Sequence, residues 1–177
     1  MVSEGEHSRY NGICPTLHRF IERWSGRSKL PRAFSSSLII PHPKDEASDH
    51  LLLVEEREDG TTENVGTIRW WPIPNRAAGK MGRVAVLKNY RGKGIGKVLI
   101  DELEEHLVQR RGKAGEALLG KDEVESIAHS QAYAQGFYEK ISPMLKSSGY
   151  VREGDLFLED GADHVKMVKV IKLDAEK

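Results

Sequence analysis

A basic, glycine-rich turn between a short apolar run and a long amphipathic one constrains this chain more than any other feature. Val84 to Leu87 is an apolar run suited to a buried strand, and from Ile95 the apolar positions Ile95, Val98, Leu99, Leu103 and Leu107 recur at helical spacing. Between them lies Arg91-Gly92-Lys93-Gly94-Ile95-Gly96-Lys97. A helix start has amides without intrahelical partners and the positive end of a macrodipole, so it attracts phosphate. Gly92, Gly94 and Gly96 let the backbone curl and approach a ligand closely, and Arg91, Lys93 and Lys97 add positive charge. The turn reads as a pyrophosphate cradle.

Spacing narrows the kind of cradle. A Walker A loop requires Gly-x-x-x-x-Gly-Lys-Ser/Thr, whereas Gly96-Lys97 is followed by Val98 and the first glycine position holds Arg91. A dinucleotide fingerprint requires a third glycine where this chain has Lys97. Arg-x-x-Gly-x-Gly after the strand Val84-Ala85-Val86 resembles motif A of the GNAT family of N-acetyltransferases. The resemblance implies that backbone amides of Val84, Ala85 and Val86 and of Arg91, Gly92, Lys93, Gly94, Ile95, Gly96 and Lys97 hold acetyl-coenzyme A, the strand splaying from its neighbour to pair with the pantetheine.

A second stretch, Ser130 to Lys140, contains Ala134, Phe137 and Tyr138 in the order Ala-x-x-Phe-Tyr that follows a strand in GNAT enzymes. The resemblance places the Tyr138 hydroxyl at the thioester sulfur, where it protonates the departing thiolate. Direct attack by an amine also needs a base or water relay. His129 is the first candidate; His50, Glu159, Asp160 and His164 are others. The lone cysteine, Cys14, lies outside both motifs, so nothing points to a covalent acyl-enzyme. No His-x-x-x-His or His-Glu-x-x-His spacing occurs, and no metal site is expected.

Two further segments resemble the ElaA-like branch of GNAT proteins: Gly154 to Met167, with its Glu159-Asp160-Gly161 turn followed by His164, and Asp45 to Leu52. Two departures stand against these likenesses. Ile141 to Ser148 separates Tyr138 from Gly149-Tyr150, and the usual first strand has no counterpart before Asp45. They motivate an alternative, a non-catalytic acyl-coenzyme A binding regulatory module with an altered acceptor pocket.

The resemblance implies an α/β fold, a mixed and mostly antiparallel sheet of about six or seven strands flanked by helices. A chain of 177 residues is expected to form a single domain, with residues 1–12 polar and loose. Strands are expected over His50–Glu56, Val65–Trp71, Met81–Leu87, Val124–Ala128, Tyr150–Glu159 and His164–Leu173, the last two as a hairpin across Asp160-Gly161. Helices are expected over Ile95 to about Arg111 and Gln131 to about Leu145, and Leu17, Phe20, Ile21 and Trp24 form a helical stripe. Asp45 to Asp49 reads as an acidic, solvated turn and Gly112 to Asp122 as a loop; of Trp70 and Trp71, one is expected in the core.

Lys plus Arg and Asp plus Glu are each 27, so net charge gives no pull toward nucleic acid or membrane. One cysteine points to a reducing compartment and no apolar run reaches about 18 residues, so the cytoplasm is the expected location, with the nucleus as the alternative. The expected partner is an amine-bearing small molecule or a protein or peptide amine, and a homodimer is left open.

Overall fold

The computed structural model describes residues 19–22, 44–56, 59, 61–141 and 149–174. Seven strands form one sheet: β1 Arg19–Glu22, β2 Asp49–Glu56, β3 Thr62–Pro72, β4 Ala78–Val86, β5 Glu123–Gln131, β6 Val151–Glu159 and β7 Ala162–Lys172, in spatial order β1-β2-β3-β4-β5-β7-β6. Every neighbouring pair is antiparallel except β4 with β5. That exception follows from connectivity, since α1 (Ile95–Val108) and α2 (Gly112–Ala117) form the crossover that parallel strands require. The mixed, mostly antiparallel α/β sheet is the one expected.

Helix α1 lays its stripe of Ile95, Val98, Leu99, Leu103 and Leu107, each at most 1% exposed, on one face of the sheet against Leu51, Leu53, Ile68, Trp70 and Met81. Successive strand residues alternate faces, so the residues between the buried ones point to the other side. Gly79 is required for the core to close. The Trp70 ring passes so near its backbone that a Cβ would lie 2.1 Å from Cζ2. Trp70 is thus the core tryptophan, while Trp71 is half-buried on the opposite face under the Lys44 ammonium.

Several expectations are corrected. Arg19–Glu22 is a strand rather than part of a helix: Phe20 pairs with Leu53 and Ile21 with Leu52. Ladder bonds to β2 outweigh a stripe of only four apolar positions. Leu17 and Trp24 lie outside the described residues. Gly112–Ala117 is helical rather than a loop, and Gln131 ends β5. A single 3-10 turn, Ala132–Ala134, leads into α3 (Gln135–Lys140), which is much shorter than expected. Leu145 and the rest of 142–148 lie outside the described residues.

The Asp45–Asp49 segment is a turn with Glu46 and Ala47 exposed, but its two aspartates are not solvated. Asp49 is buried, its carboxylate taking the Lys113 and Ala114 amides at the start of α2 and the His106 ring. Asp45 is bound by two arginines. The Asp160-Gly161 hairpin is as expected, both residues having the positive φ of a two-residue turn, 52° and 78°.

Candidate active site

Strands β4 and β5 stay together for four residue pairs, from Ala78 with Glu125 to Met81 with Ala128. Beyond that point β5 continues beside β7 alone, through His129 with Lys166 to Gln131 with His164. β4 continues beside β3 alone, Ala85 facing Thr67 and Val86 facing Gly66. The β5-facing edge of Gly82 to Val86 therefore has no strand partner among the described residues, and Val84, Ala85 and Val86 are only half-buried despite being apolar. At the opening β4 carries a bulge. Thr67 faces Ala85 but Arg69 faces Gly82, so Arg83 and Val84 both stand opposite Ile68. Arg83 has φ of 52°, sparsely populated for a side-chain-bearing residue.

The glycine-rich turn joins β4 to α1. Gly92 and Gly94 have φ of 76° and 79°, and Gly94 is the N-cap of α1 with no side-chain cap, leaving the first helical amides for a ligand. Gly96 does something other than curl the backbone: it is inside α1, and a Cβ there would lie 2.9 Å from Cζ of Phe137. The three basic side chains differ. Arg91 donates to the Val86 carbonyl, Lys93 lies 5.2 Å from the Tyr90 ring centre, and Lys97 is held by Asp101 at 2.5 Å.

Phe137 carries the contact from α1 to α3, and Tyr138 follows it. The Tyr138 ring meets Phe137 and Tyr150 edge-on at 5.2 and 5.9 Å and is 8% exposed. Burial first, and the nearby Tyr133 second, push its hydroxyl above the ordinary tyrosine range. At neutral pH it keeps its proton and can donate it.

His129 stands one residue past the last β4–β5 pair, on the face away from α1, since Ala128 and Ser130 on either side are buried. Its Nδ1 lies 2.8 Å from Glu159 Oε2 and 2.8 Å from Lys80 Nζ, while Lys80 Nζ lies 3.3 Å from Glu159 Oε1. One tautomer donates from Nδ1 to Glu159 and the other accepts there from Lys80. Desolvation raises the Glu159 pKa, but the His129 hydrogen bond and the Lys80 charge outweigh it and hold the carboxyl below its ordinary value. Phe157 braces the imidazole edge-on at 4.8 Å and stacks on His164.

Of the residues expected around the reaction, the fold gathers His129 and Glu159 at the strand opening and His164 against Phe157. His50 bonds the Asp45 carbonyl instead, and Asp160 forms the hairpin turn beside Glu159. Lys80, Arg69, Arg83 and Asp45 were missed. For Lys80 a signal existed: a lysine in mid-strand between Gly79 and Met81, both destined for burial, needs a partner on the opposite face. Asp45, which accepts from Arg69 and Arg83 at 2.8 and 2.9 Å, had no local signal, because its partners are 24 and 38 residues away. Among the described residues no group of three or more His, Cys, Asp or Glu could hold a metal ion, and no helix is long and apolar enough to cross a membrane.

The sheet opens between two parallel strands beside an uncapped helix start, the arrangement that the resemblance implies for an acyl-coenzyme A site. The family model described as "Acetyltransferase (GNAT) domain" matches residues 47–141, more than half of the chain. The chain belongs to the GNAT acetyltransferase family. A Bacillus subtilis (strain 168) protein described as a putative acetyltransferase is 37% identical over 91 residues, 51% of this chain and 50% of that protein, so the match spans only half the relative's length. A second from the same organism, "Uncharacterized protein YyaT", is 32% identical over 126 residues, 71% of this chain and 68% of that one. Among solved structures, one described as a putative N-acetyltransferase from Lactobacillus plantarum is similar with a TM-score of 0.55 and 26% identity, covering 79% of this chain and 80% of that one.

Proposed function

We propose that this chain transfers an acetyl group from acetyl-coenzyme A to a primary amine by direct attack. The observation that carries the reading is the parting of β4 from β5 after Met81 and Ala128, with the uncapped start of α1 at the end of the freed strand. Val84, Ala85 and Val86 would hold the pantetheine arm through their unpartnered edge. The amides of Gly92 to Gly96 and the Arg91 and Lys93 side chains would hold the pyrophosphate, whereas the Arg91 and Lys97 amides are taken by the Lys88 and Gly94 carbonyls and Asp101 holds the Lys97 ammonium. The bound thioester supplies the electrophilic acyl carbon and a thiolate leaving group.

The chain's own residues then have distinct tasks. His129 takes the proton of the incoming ammonium through the ring nitrogen not used by Glu159. Tyr138, kept protonated by burial, gives a proton to the departing sulfur. The Glu159-Asp160-Gly161 turn with His164 and Met167 is the ground for placing the chain in the ElaA-like branch.

Calorimetric titration of acetyl-coenzyme A, followed by assay of free thiol release with a panel of primary amines, tests the reading. Micromolar or tighter binding, abolished by Gly94→Val and retained by Tyr138→Phe, together with amine-dependent thiol release above the buffer rate, is the expected result. Binding without release for any amine overturns the transfer reading in favour of a regulatory acyl-coenzyme A module. No binding overturns both.

A further inference from the structure

Around the opening between β4 and β5, positive charge is already matched to negative charge before any substrate arrives. Asp45 gives one carboxylate oxygen to Arg69 and the other to Arg83, at the level of Gly82 and the bulge. Glu159 gives Oε1 to Lys80 and Oε2 to His129. Both of these carboxylates, which reach the opening from outside β4 and β5, are thus engaged by the protein's own side chains through both oxygens. The Asp45 pairs are mostly buried, with side-chain exposures of 14%, 27% and 11% for Arg69, Arg83 and Asp45. The Lys80–Glu159 pair is more open, at 30% and 36%. Its ammonium therefore sits where an incoming amine would look for a carboxylate.

An acceptor with a second ammonium needs a carboxylate to receive it, since a positive charge moved out of water without a partner is costly. We infer that Lys80 is a specificity-determining residue: by filling Glu159 with its own ammonium, it makes the site select amines with a single positive charge and reject diamines and polyamines. The inference rests on the acyltransferase reading for its biological meaning, but the charge selection itself is a matter of binding. Lys80 also lies 2.8 Å from His129 Nδ1, so an added cation would have to approach the Lys80 ammonium directly beside the proposed base. Removing the Lys80 charge leaves Glu159 as a half-exposed carboxylate with one oxygen free. That is the subsite a second ammonium requires.

Butylamine and 1,4-diaminobutane have the same carbon chain and differ by one ammonium, and they make the test. Their dissociation constants are measured by calorimetry on coenzyme A-saturated wild type, Lys80→Arg, Lys80→Met and Lys80→Met/Glu159→Gln, with thiol release from acetyl-coenzyme A followed in parallel. The preference for the diamine over the monoamine should rise at least about fivefold in Lys80→Met, stay at the wild-type value in Lys80→Arg and return toward it in the double variant. Equal ratios in all four proteins, or no measurable binding of either amine to any of them, overturn the inference. A shifted binding ratio without thiol release from any protein upholds the charge selection and sinks the acyltransferase reading. Turnover with unshifted ratios does the reverse. Circular dichroism on each variant identifies any that has lost its fold, and Lys80→Gln, which also removes the charge, then carries the decision under the same expected and overturning ratios.

Discussion

The Phe137 ring rests on Gly96, so close that a methyl group at residue 96 would lie 2.9 Å from Cζ. This contact ties the first turn of α1, where the pyrophosphate is proposed to bind, to the helix that carries Tyr138. Gly96→Ala has two opposing effects. Alanine gains about 1 kcal/mol of helix propensity, and crowding of the ring costs about 1–3 kcal/mol. Phe137 is 39% exposed and can swing outward, so the crowding lands at the low end and stability stays nearly unchanged. With its ring swung off α1, Phe137 no longer fixes the position of Tyr138, and kcat should nevertheless fall by about tenfold or more. Adding Phe137→Leu should recover most of the loss; failure of the double variant to recover would show that the contact does not position Tyr138.

Tyr138 offers a separation of binding from chemistry. Its ring packs against Phe137 and Tyr150, and no described residue hydrogen-bonds to its hydroxyl. Tyr138→Phe therefore keeps the packing and removes only the proton donor. Acetyl-coenzyme A affinity should stay within about twofold while kcat falls by about 10²–10⁴. A proportional loss of both would assign the residue to cofactor binding instead.

Lys169 and Glu104 form the most deeply buried ion pair described, at 2% and 1% exposure, with Nζ 2.7 Å from both carboxylate oxygens. Despite this contact, burial leaves the Glu104 pKa raised, so desolvation is not fully repaid. Lys169→Met strands a buried carboxylate and should cost about 3–5 kcal/mol in urea unfolding. Glu104→Leu/Lys169→Met removes both charges and should recover most of that. A double variant no more stable than the single would mean that the pair contributes net stability.

The strands and α1 were legible because their signals are local. Alternating or continuous apolar runs bounded by Asp59-Gly60, Pro72 to Gly79 and Asp160-Gly161 mark β2 to β4, β6 and β7, and a five-residue stripe marks α1. The glycine-rich turn proposed to hold the cofactor was legible for the same reason, since its glycines and basic residues are contiguous. The acceptor side was legible only in part: His129 and Glu159 stood out as candidates, but neither their contact nor Lys80 did. Lys80, His129 and Glu159 come from three strands, with 49 and 30 residues between successive members, and only the β4-β5-β7-β6 order brings them together. Asp49 failed for a related reason: an acidic residue among acidic neighbours looks solvated until its partners, 57 to 65 residues away, are seen.

Asp49 also gives a prediction with a definite sign in pH. Its buried carboxylate caps α2 from β2, Oδ1 taking the Lys113 amide at 2.9 Å and Oδ2 the Ala114 amide at 2.8 Å and the His106 ring at 3.1 Å. Gly112, at φ of 59°, leaves room for it, because a Cβ there would lie 2.4 Å from Oδ1. Desolvation pushes the pKa upward, but the His106 and amide hydrogen bonds outweigh it and leave the folded value below the ordinary 3.8. A depressed carboxylate contributes stability that is fully present above its unfolded pKa and is lost as pH falls through the folded one. Asp49→Asn loses the charge and one acceptor oxygen, so at pH 7 it should cost about 1–3 kcal/mol. Urea unfolding of both proteins should show this gap narrowing as pH falls below about 4, where the unfolded chain's carboxyl takes up a proton, and closing further as pH passes through the depressed folded value. An equal gap at pH 3 and pH 7 would show that Asp49 acts through shape alone, with the charge on its carboxylate contributing nothing to the cap.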